Sequence, residues 1–98
     1  MWNEQYILRE ISKNEPLEPL ELIYKYADEP EVVERIARCE SQLGKYRVNW
    51  EGGSAEGLLM FQPRTFDWAC EGDIKSDIDQ IKCFNKLYPK YPHYWECK

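Results

Sequence analysis

A chain of 98 residues, 43% apolar and 14% aromatic, holds one domain with a single modest core. Asp and Glu outnumber Lys and Arg by 18 to 13, for a net charge of −5. That balance excludes nucleic acid and anionic membrane surfaces as partners, because both require a basic face.

No run of about 20 apolar residues is present, so no membrane span is expected. No secretory h-region follows Met1 either. The four cysteines, Cys39, Cys70, Cys83 and Cys97, form no C-x-x-C pair, and His93 is the only histidine. A zinc site is therefore disfavoured, and no metal or organic cofactor is expected. Free thiols of a cytosolic protein remain an alternative. Two disulfides in an exported domain are the preferred reading, since a core this small gains most from covalent staples. Three pairings are open on arithmetic alone. Export of this chain then depends on a leader outside this sequence or on another device.

Taken in order, Trp2 to Lys13 can form a short helix, with Tyr6, Ile7 and Ile11 on one side. Two prolines in Asn14-Glu-Pro-Leu-Glu-Pro break it. A second helix is expected from Pro19 to Ala27, with Leu20, Ile23, Tyr24 and Ala27 inward and Pro19 in its first turn. Asp28-Glu-Pro-Glu reads as a start signal in which Asp28 caps.

The pivotal helix spans Val32 to Leu43 and ends at Gly44, a glycine suited to a left-handed C-terminal residue. Val33, Ile36, Ala37 and Leu43 recur at helical spacing along one apolar stripe. Glu40 falls on that stripe, where burial penalises the charged form and keeps a carboxylic acid able to donate a proton near neutrality. The competing reading is a helix-end glutamate that turns out to water.

Residues 45 to 56 read as a loop or small hairpin, and Gly57-Leu-Leu-Met-Phe-Gln is too short to assign by period. Pro63 opens a helix through Cys70, Glu71-Gly-Asp is a turn, and Ser76-x-x-Asp79 resembles a capping box. Ile78, Ile81, Phe84 and Tyr88 give the last helix its buried face, and Pro89 and Pro92 end it. No internal repeat or linker is found. The expected class is mainly α, with at most a vestigial β element.

Five ordered elements carry a resemblance: Ile36-Ala-Arg-Cys-Glu-Ser, Gly53-Ser-Ala-Glu-Gly-Leu-Leu-Met-Phe, Thr65-Phe, Asp79-Gln-Ile and Trp95-x-Cys97. Together they resemble the lysozyme-like fold, and more narrowly the soluble lytic transglycosylases and the resuscitation-promoting factors. The resemblance covers roughly residues 20 to 98, with residues 1–18 as an N-terminal lead. It implies a small muralytic domain acting as a monomer on peptidoglycan glycan strands in the cell wall, periplasm or extracellular space.

Residue by residue, it makes Glu40 the general acid that protonates the oxygen between N-acetylmuramic acid and N-acetylglucosamine. Ser41 matches a serine supporting that region. Gly57 matches a glycine whose missing side chain lets backbone approach the sugar, and Thr65 a threonine lining the cleft. Gln80 matches a helix position that is structural. Cys39 and Cys97 match a disulfide tying the catalytic helix to the C-terminus, which leaves Cys70 with Cys83. Closing the longer loop stabilises the fold by roughly 4 kcal/mol in the chain-entropy model.

The chain departs from the family at Met60, where the transglycosylases usually carry glutamine. Here Gln62, two positions on, is the candidate for that polar contact. The family's Tyr-Asn-x-Gly segment is not seen, and Tyr88, Tyr91 and Tyr94 are the candidates to replace its tyrosine.

Glycosidases commonly pair two carboxylates, and Glu51, Glu56, Glu71 and Asp73 are the candidates here. None has helical support like that of Glu40. A lytic transglycosylase needs no such partner, because its own substrate hydroxyl closes a 1,6-anhydro ring with the proximity advantage of an intramolecular attack. Transglycosylation is therefore expected over hydrolysis by a muramidase. A catalytically weak glycan-binding module is the rival reading. Among the rings, Trp50, Tyr46, Trp68 and Trp95 are candidates to stack on sugar. Trp50 is favoured for the cleft and Trp95 for packing beneath the C-terminal disulfide.

Overall fold

A computed structural model describes residues 18–48 and 53–95. Among these residues the chain is mainly helical. Helix α1 spans Pro19–Tyr26, α2 Pro30–Ser41, α3 Pro63–Ala69 and α4 Asp77–Leu87, and a 3-10 turn follows at Pro92–Tyr94. The only β pairing described is two isolated antiparallel bridges, Val48 with Glu56 and Glu56 with Phe61. The helix expected over Trp2 to Lys13 lies outside the described residues. Among them no helix is long and apolar enough to cross a membrane.

Proline opens α1, α2 and α3. Its fixed φ suits the first helical residue, and its missing N–H is one that no helix satisfies internally. Helix α1 packs against α4 and α2, and α3 packs against α4.

In α1 Ile23 is buried as expected, but Tyr24 is 40% exposed and Glu21 is buried in its place. An eight-residue helix has too few turns to fix the phase of its apolar face. Glu21 is retained because its carboxylate accepts the N–H of Glu18 at 3.0 Å, closing the first turn.

Helix α2 is capped at Glu29, not at Asp28. With Pro30 at the first helical position the cap falls one residue later. The Asp28 N–H is instead taken by Asn85 Oδ1 at 2.9 Å, while Asn85 Nδ2 donates to Tyr26 O at 2.9 Å. One amide on α4 thus clamps the link between α1 and α2. At its other end α2 stops at Ser41, two residues short of the expected Leu43. Gln42, Leu43 and Gly44 all take positive φ, so the reversal begins before the glycine and Leu43 is only half-buried. Val33, Ile36 and Ala37 are fully buried, as the spacing requires.

Tyr24 still ties the two helices. Its hydroxyl donates to Glu34 Oε1 at 2.7 Å, and Arg38 Nε donates to Glu34 Oε2 at 2.9 Å. Tyr24's hydroxyl first, and Arg38 second, hold the Glu34 carboxyl below its ordinary value of 4.5. A lowered carboxylate pKa contributes stability above the unfolded value, and that contribution is lost as pH falls through the folded one. We expect Tyr24→Phe to lower stability by under about 1 kcal/mol at neutral pH, because both groups reach solvent. The difference from the parent chain should close as pH drops well below 4.5. Urea titrations of both proteins across that range check it.

Helix α4 begins as expected, with Ser76 Oγ accepting the Asp79 N–H at 3.2 Å. Asp79 does not complete the box, because its carboxylate accepts from Asp73 N at 3.0 Å and closes the preceding turn. Ile81 and Phe84 are buried as read. The buried face also takes in Gln80, Cys83 and Leu87, while Ile78 and Tyr88 are half-buried.

Cys70, at the end of α3, is bonded to Cys83 in α4, with Cα atoms 5.4 Å apart. Cys39 is also disulfide-bonded; its expected partner, Cys97, lies outside the described residues. Closing a loop of 13 residues gives roughly 3 kcal/mol in the chain-entropy model. Cys70→Ser with Cys83→Ser should therefore lower the melting temperature by more than about 10 °C, at the usual 4–8 °C per kcal/mol for a domain of this size. Calorimetry of the pair variant under oxidising conditions measures it.

The core is closed by rings. Phe61 meets Phe66 and Trp95 edge-on at 5.5 and 5.3 Å, and Phe84 lies 4.7 Å from both Trp95 and Tyr88. Trp95 is 2% exposed and packed among these rings; the disulfide it was expected to lie beneath involves Cys97, outside the described residues.

Candidate active site

The segment from Glu56 to Phe61 is a tight turn. Glu56 N donates to Phe61 O and Phe61 N to Glu56 O, both at 3.0 Å. Inside it Gly57 sits at φ +91° and Met60 at φ +50°. A turn this sharp leaves polar backbone groups facing inward, and each must find a partner. Three side chains from three other parts of the chain supply them.

Ser41, the last residue of α2, is buried. Its hydroxyl donates to Leu58 O at 2.6 Å, lies 3.2 Å from Ala37 O and accepts from Gly44 N at 2.9 Å. Gln80, in the first turn of α4, is fully buried. Its Oε1 accepts from Leu59 N at 2.8 Å, while its Nε2 donates to Glu56 O at 3.0 Å and Ile74 O at 2.7 Å. From the C-terminal side, Trp95 Nε1 donates to Leu59 O at 2.8 Å. The turn is therefore tied to the end of α2, to α4 and to the C-terminal ring cluster.

Glu40 is the penultimate residue of α2 and is half-buried. Its neighbour Ser41 is the residue that ties α2 to the turn. Adjacent helical residues point about 100° apart. Arg47 braces the same region, pairing with both carboxylate oxygens of Asp77 at the start of α4 and accepting Gly57 N on its own carbonyl at 2.9 Å.

Glu40 is not among the residues that line the hollow formed by Met60, Gln62 and Thr65, and the other expected site residues within the described chain divide into two groups. Ser41 and Gly57 are buried and act on protein atoms. A Cβ on Gly57 would run into the Gln80 amide, so the glycine is accounted for by Gln80. Met60, Gln62 and Thr65, by contrast, line one hollow of about 160 Å³ together with Phe61, Tyr94 and Trp95. Gln62 Oε1 accepts from Ser54 Oγ at 2.7 Å, which fixes the amide at the rim. Trp50 lies outside the described residues.

Of the candidate second carboxylates, Glu56 pairs with Lys75 Nζ at 3.1 Å, and Asp73 Oδ1 accepts from Lys75 N at 2.9 Å. Glu71 is exposed beside the Cys70–Cys83 bridge, and Glu51 lies outside the described residues. Among the other rings, Tyr46 is half-buried with Lys45 Nζ over it at 5.3 Å, and Trp68 is 61% exposed on α3. His93 is exposed, as expected for a histidine with no motif around it.

Sequence reasoning missed the reach of Gln80 and Asn85. The signal for Gln80 was its place among apolar residues on the buried face of α4, next to Ile81, in a position where a polar side chain must be satisfied. Among the described residues no group of three or more His, Cys, Asp or Glu side chains is placed to hold a metal ion. No protein-family model, curated protein or solved structure matches this chain.

Proposed function

We propose that this chain is an exported lytic transglycosylase of lysozyme-like fold. It cleaves the β-1,4 bond between N-acetylmuramic acid and N-acetylglucosamine in peptidoglycan, with Glu40 as acid and base. The observation that carries the reading is convergence. The elements of the resemblance lie far apart in sequence, yet Ser41, Gln80 and Trp95 all bond to the backbone of the 56–61 turn. That turn, Thr65 and the C-terminal rings then form one hollow.

The chemistry follows from one carboxyl group. In the first step Glu40 gives its proton to the glycosidic oxygen as the bond from that oxygen to C1 of the muramoyl sugar breaks. In the second its carboxylate takes the proton of the C6 hydroxyl, whose oxygen bonds to C1 and closes the anhydro ring. Attack from within the same sugar replaces an external water and needs no second carboxylate. Glu40 stands in the last turn of α2 and is half-buried.

Digestion of purified peptidoglycan, with the soluble products weighed by mass spectrometry, tests the proposal. We expect anhydro-muropeptides, each lighter by one water than the hydrolysed fragment. Reducing ends would make the chain a muramidase. Glycan bound but uncut would make it a binding module on the same scaffold. No binding and no product would end the glycan reading.

A further inference from the structure

The resemblance leaves Tyr88, Tyr91 and Tyr94 undivided and gives none of them a contact, and the surroundings of Tyr94 set it apart. Of the three tyrosines near the C-terminus, Tyr88 is stacked on Phe84 at 4.7 Å and Tyr91 is packed against the core. Only Tyr94 both lines the hollow of Met60, Gln62 and Thr65 and stands 43% exposed. Its ring lies parallel to that of Tyr91, with centroids 5.0 Å apart and planes within 8°. His93 contacts it edge-on at 5.1 Å, and Trp95 is tilted against it at 6.1 Å. The ring is thus held in place by other rings while much of it remains open to solvent. Its hydroxyl makes no hydrogen bond among the described residues.

A hollow of about 160 Å³ is smaller than the 300–1,000 Å³ that enclose a whole ligand. It has room for one ring of a longer molecule. Its lining combines aromatic and thioether groups, from Phe61, Tyr94, Trp95 and Met60, with polar ones from Gln62 and Thr65. A pyranose presents the matching surface, with axial C–H groups on its face and hydroxyls at its edge. We infer that Tyr94 is a sugar-stacking residue of the glycan site, seating one pyranose ring of the strand against its face while Gln62 and Thr65 bond the ring's edge. The inference rests on the glycan reading above, and it deepens that reading by naming a binding residue. Rigid aromatic contacts of this kind give affinity at low cost in side-chain entropy.

The test uses Glu40→Gln protein, so that glycan is bound and not consumed, and soluble peptidoglycan strands as the probe in a calorimetric or fluorescence titration. Tyr94→Ala in that background should weaken binding by about 10-fold or more, whereas Tyr94→Phe should stay within about 2-fold, because the ring is kept and only the hydroxyl is lost. A purely structural role is checked by melting. Tyr94 is partly exposed, so the alanine variant should remain folded at the titration temperature. Equal binding by Tyr94→Ala and the parent overturns the inference while leaving the glycan reading intact. Equal losses in the alanine and phenylalanine variants also overturn it, by assigning the contact to the hydroxyl. If the parent itself neither binds nor cuts glycan, the functional reading falls first and the role of Tyr94 with it.

Discussion

Glu40→Gln should abolish release of anhydro-muropeptides while leaving the melting temperature within a few degrees of the parent. Glutamine keeps the length and shape of the side chain at a half-buried position, so packing at the end of α2 changes little. What it lacks is the transferable proton. General acid–base catalysis by one positioned group contributes on the order of 10²–10⁴-fold. In the proposed reaction the same carboxyl serves both proton transfers, so the loss should lie at the upper end of that range. Glu40→Asp makes a useful companion. It keeps the acid but withdraws it by one methylene, and reacting groups misplaced by about 1 Å commonly lose about 10²-fold. Cleavage measured as loss of peptidoglycan turbidity, with product masses recorded beside it, distinguishes the two variants from the parent. A rate unchanged by Glu40→Gln would take Glu40 out of the mechanism.

The parts of this molecule that could be read from its sequence are those governed by local chemistry. Pro19, Pro30 and Pro63 mark three helix starts, because a proline's fixed φ and missing donor act at one position regardless of what lies across the core. Ser76 marks the fourth for a similar reason, since its hydroxyl needs only the amide three residues on. The errors lie where the outcome depends on a distant partner. Asp28 was expected to cap α2, but its amide is claimed by Asn85, 57 residues away. Asp79 was expected to bond back to Ser76, but Asp73 offers its carboxylate a nearer donor. The end of α2 was placed by Gly44, yet Gln42 and Leu43 already turn left-handed. The amide of Leu43 bonds to Ala37 O at 3.0 Å there, which closes the helix ahead of the glycine.

The site was legible to a different degree. Met60, Gln62 and Thr65 were picked out through the resemblance, and they do share one hollow. No local pattern marks Gln80 as the centre of the turn, because its three bonds reach residues 6, 21 and 24 positions away. Nor does any pattern distinguish Tyr94 from Tyr88 and Tyr91. That difference appears only when the chain after α4 folds back across Phe61 and Phe84 through Trp95.

The largest effect on stability is expected at Gln80. Gln80→Met keeps the volume of a fully buried side chain but removes three hydrogen bonds, stranding Leu59 N and Ile74 O and leaving Glu56 O with only its bond from Phe61 N. Each buried group left without a partner costs about 1–3 kcal/mol, so the total should reach about 2–5 kcal/mol. That is a large share of the 5–15 kcal/mol typical of a whole domain.

Gly57 is coupled to this residue through space. At φ +91° any other side chain carries a left-handed penalty of roughly 1–2 kcal/mol. The Cβ of Gly57→Ala would also collide with the Gln80 amide. That amide is the end of a flexible chain, but three hydrogen bonds hold it, so it cannot swing aside cheaply.

The two positions should therefore be strongly non-additive. With Gln80→Ala in place the collision disappears and only the backbone penalty at residue 57 remains. The double variant should be more stable than the sum of the single losses allows, by at least about 1 kcal/mol. Urea unfolding of the four proteins closes the cycle. Losses that add to within about 0.5 kcal/mol would mean that the amide does not press on Gly57, and the turn would then have to owe its shape to something else. The proposed glycan cleavage, measured below the melting temperature, should fall in the same order as stability, because the turn that Gln80 holds is the one that carries Met60 and Phe61 to the hollow.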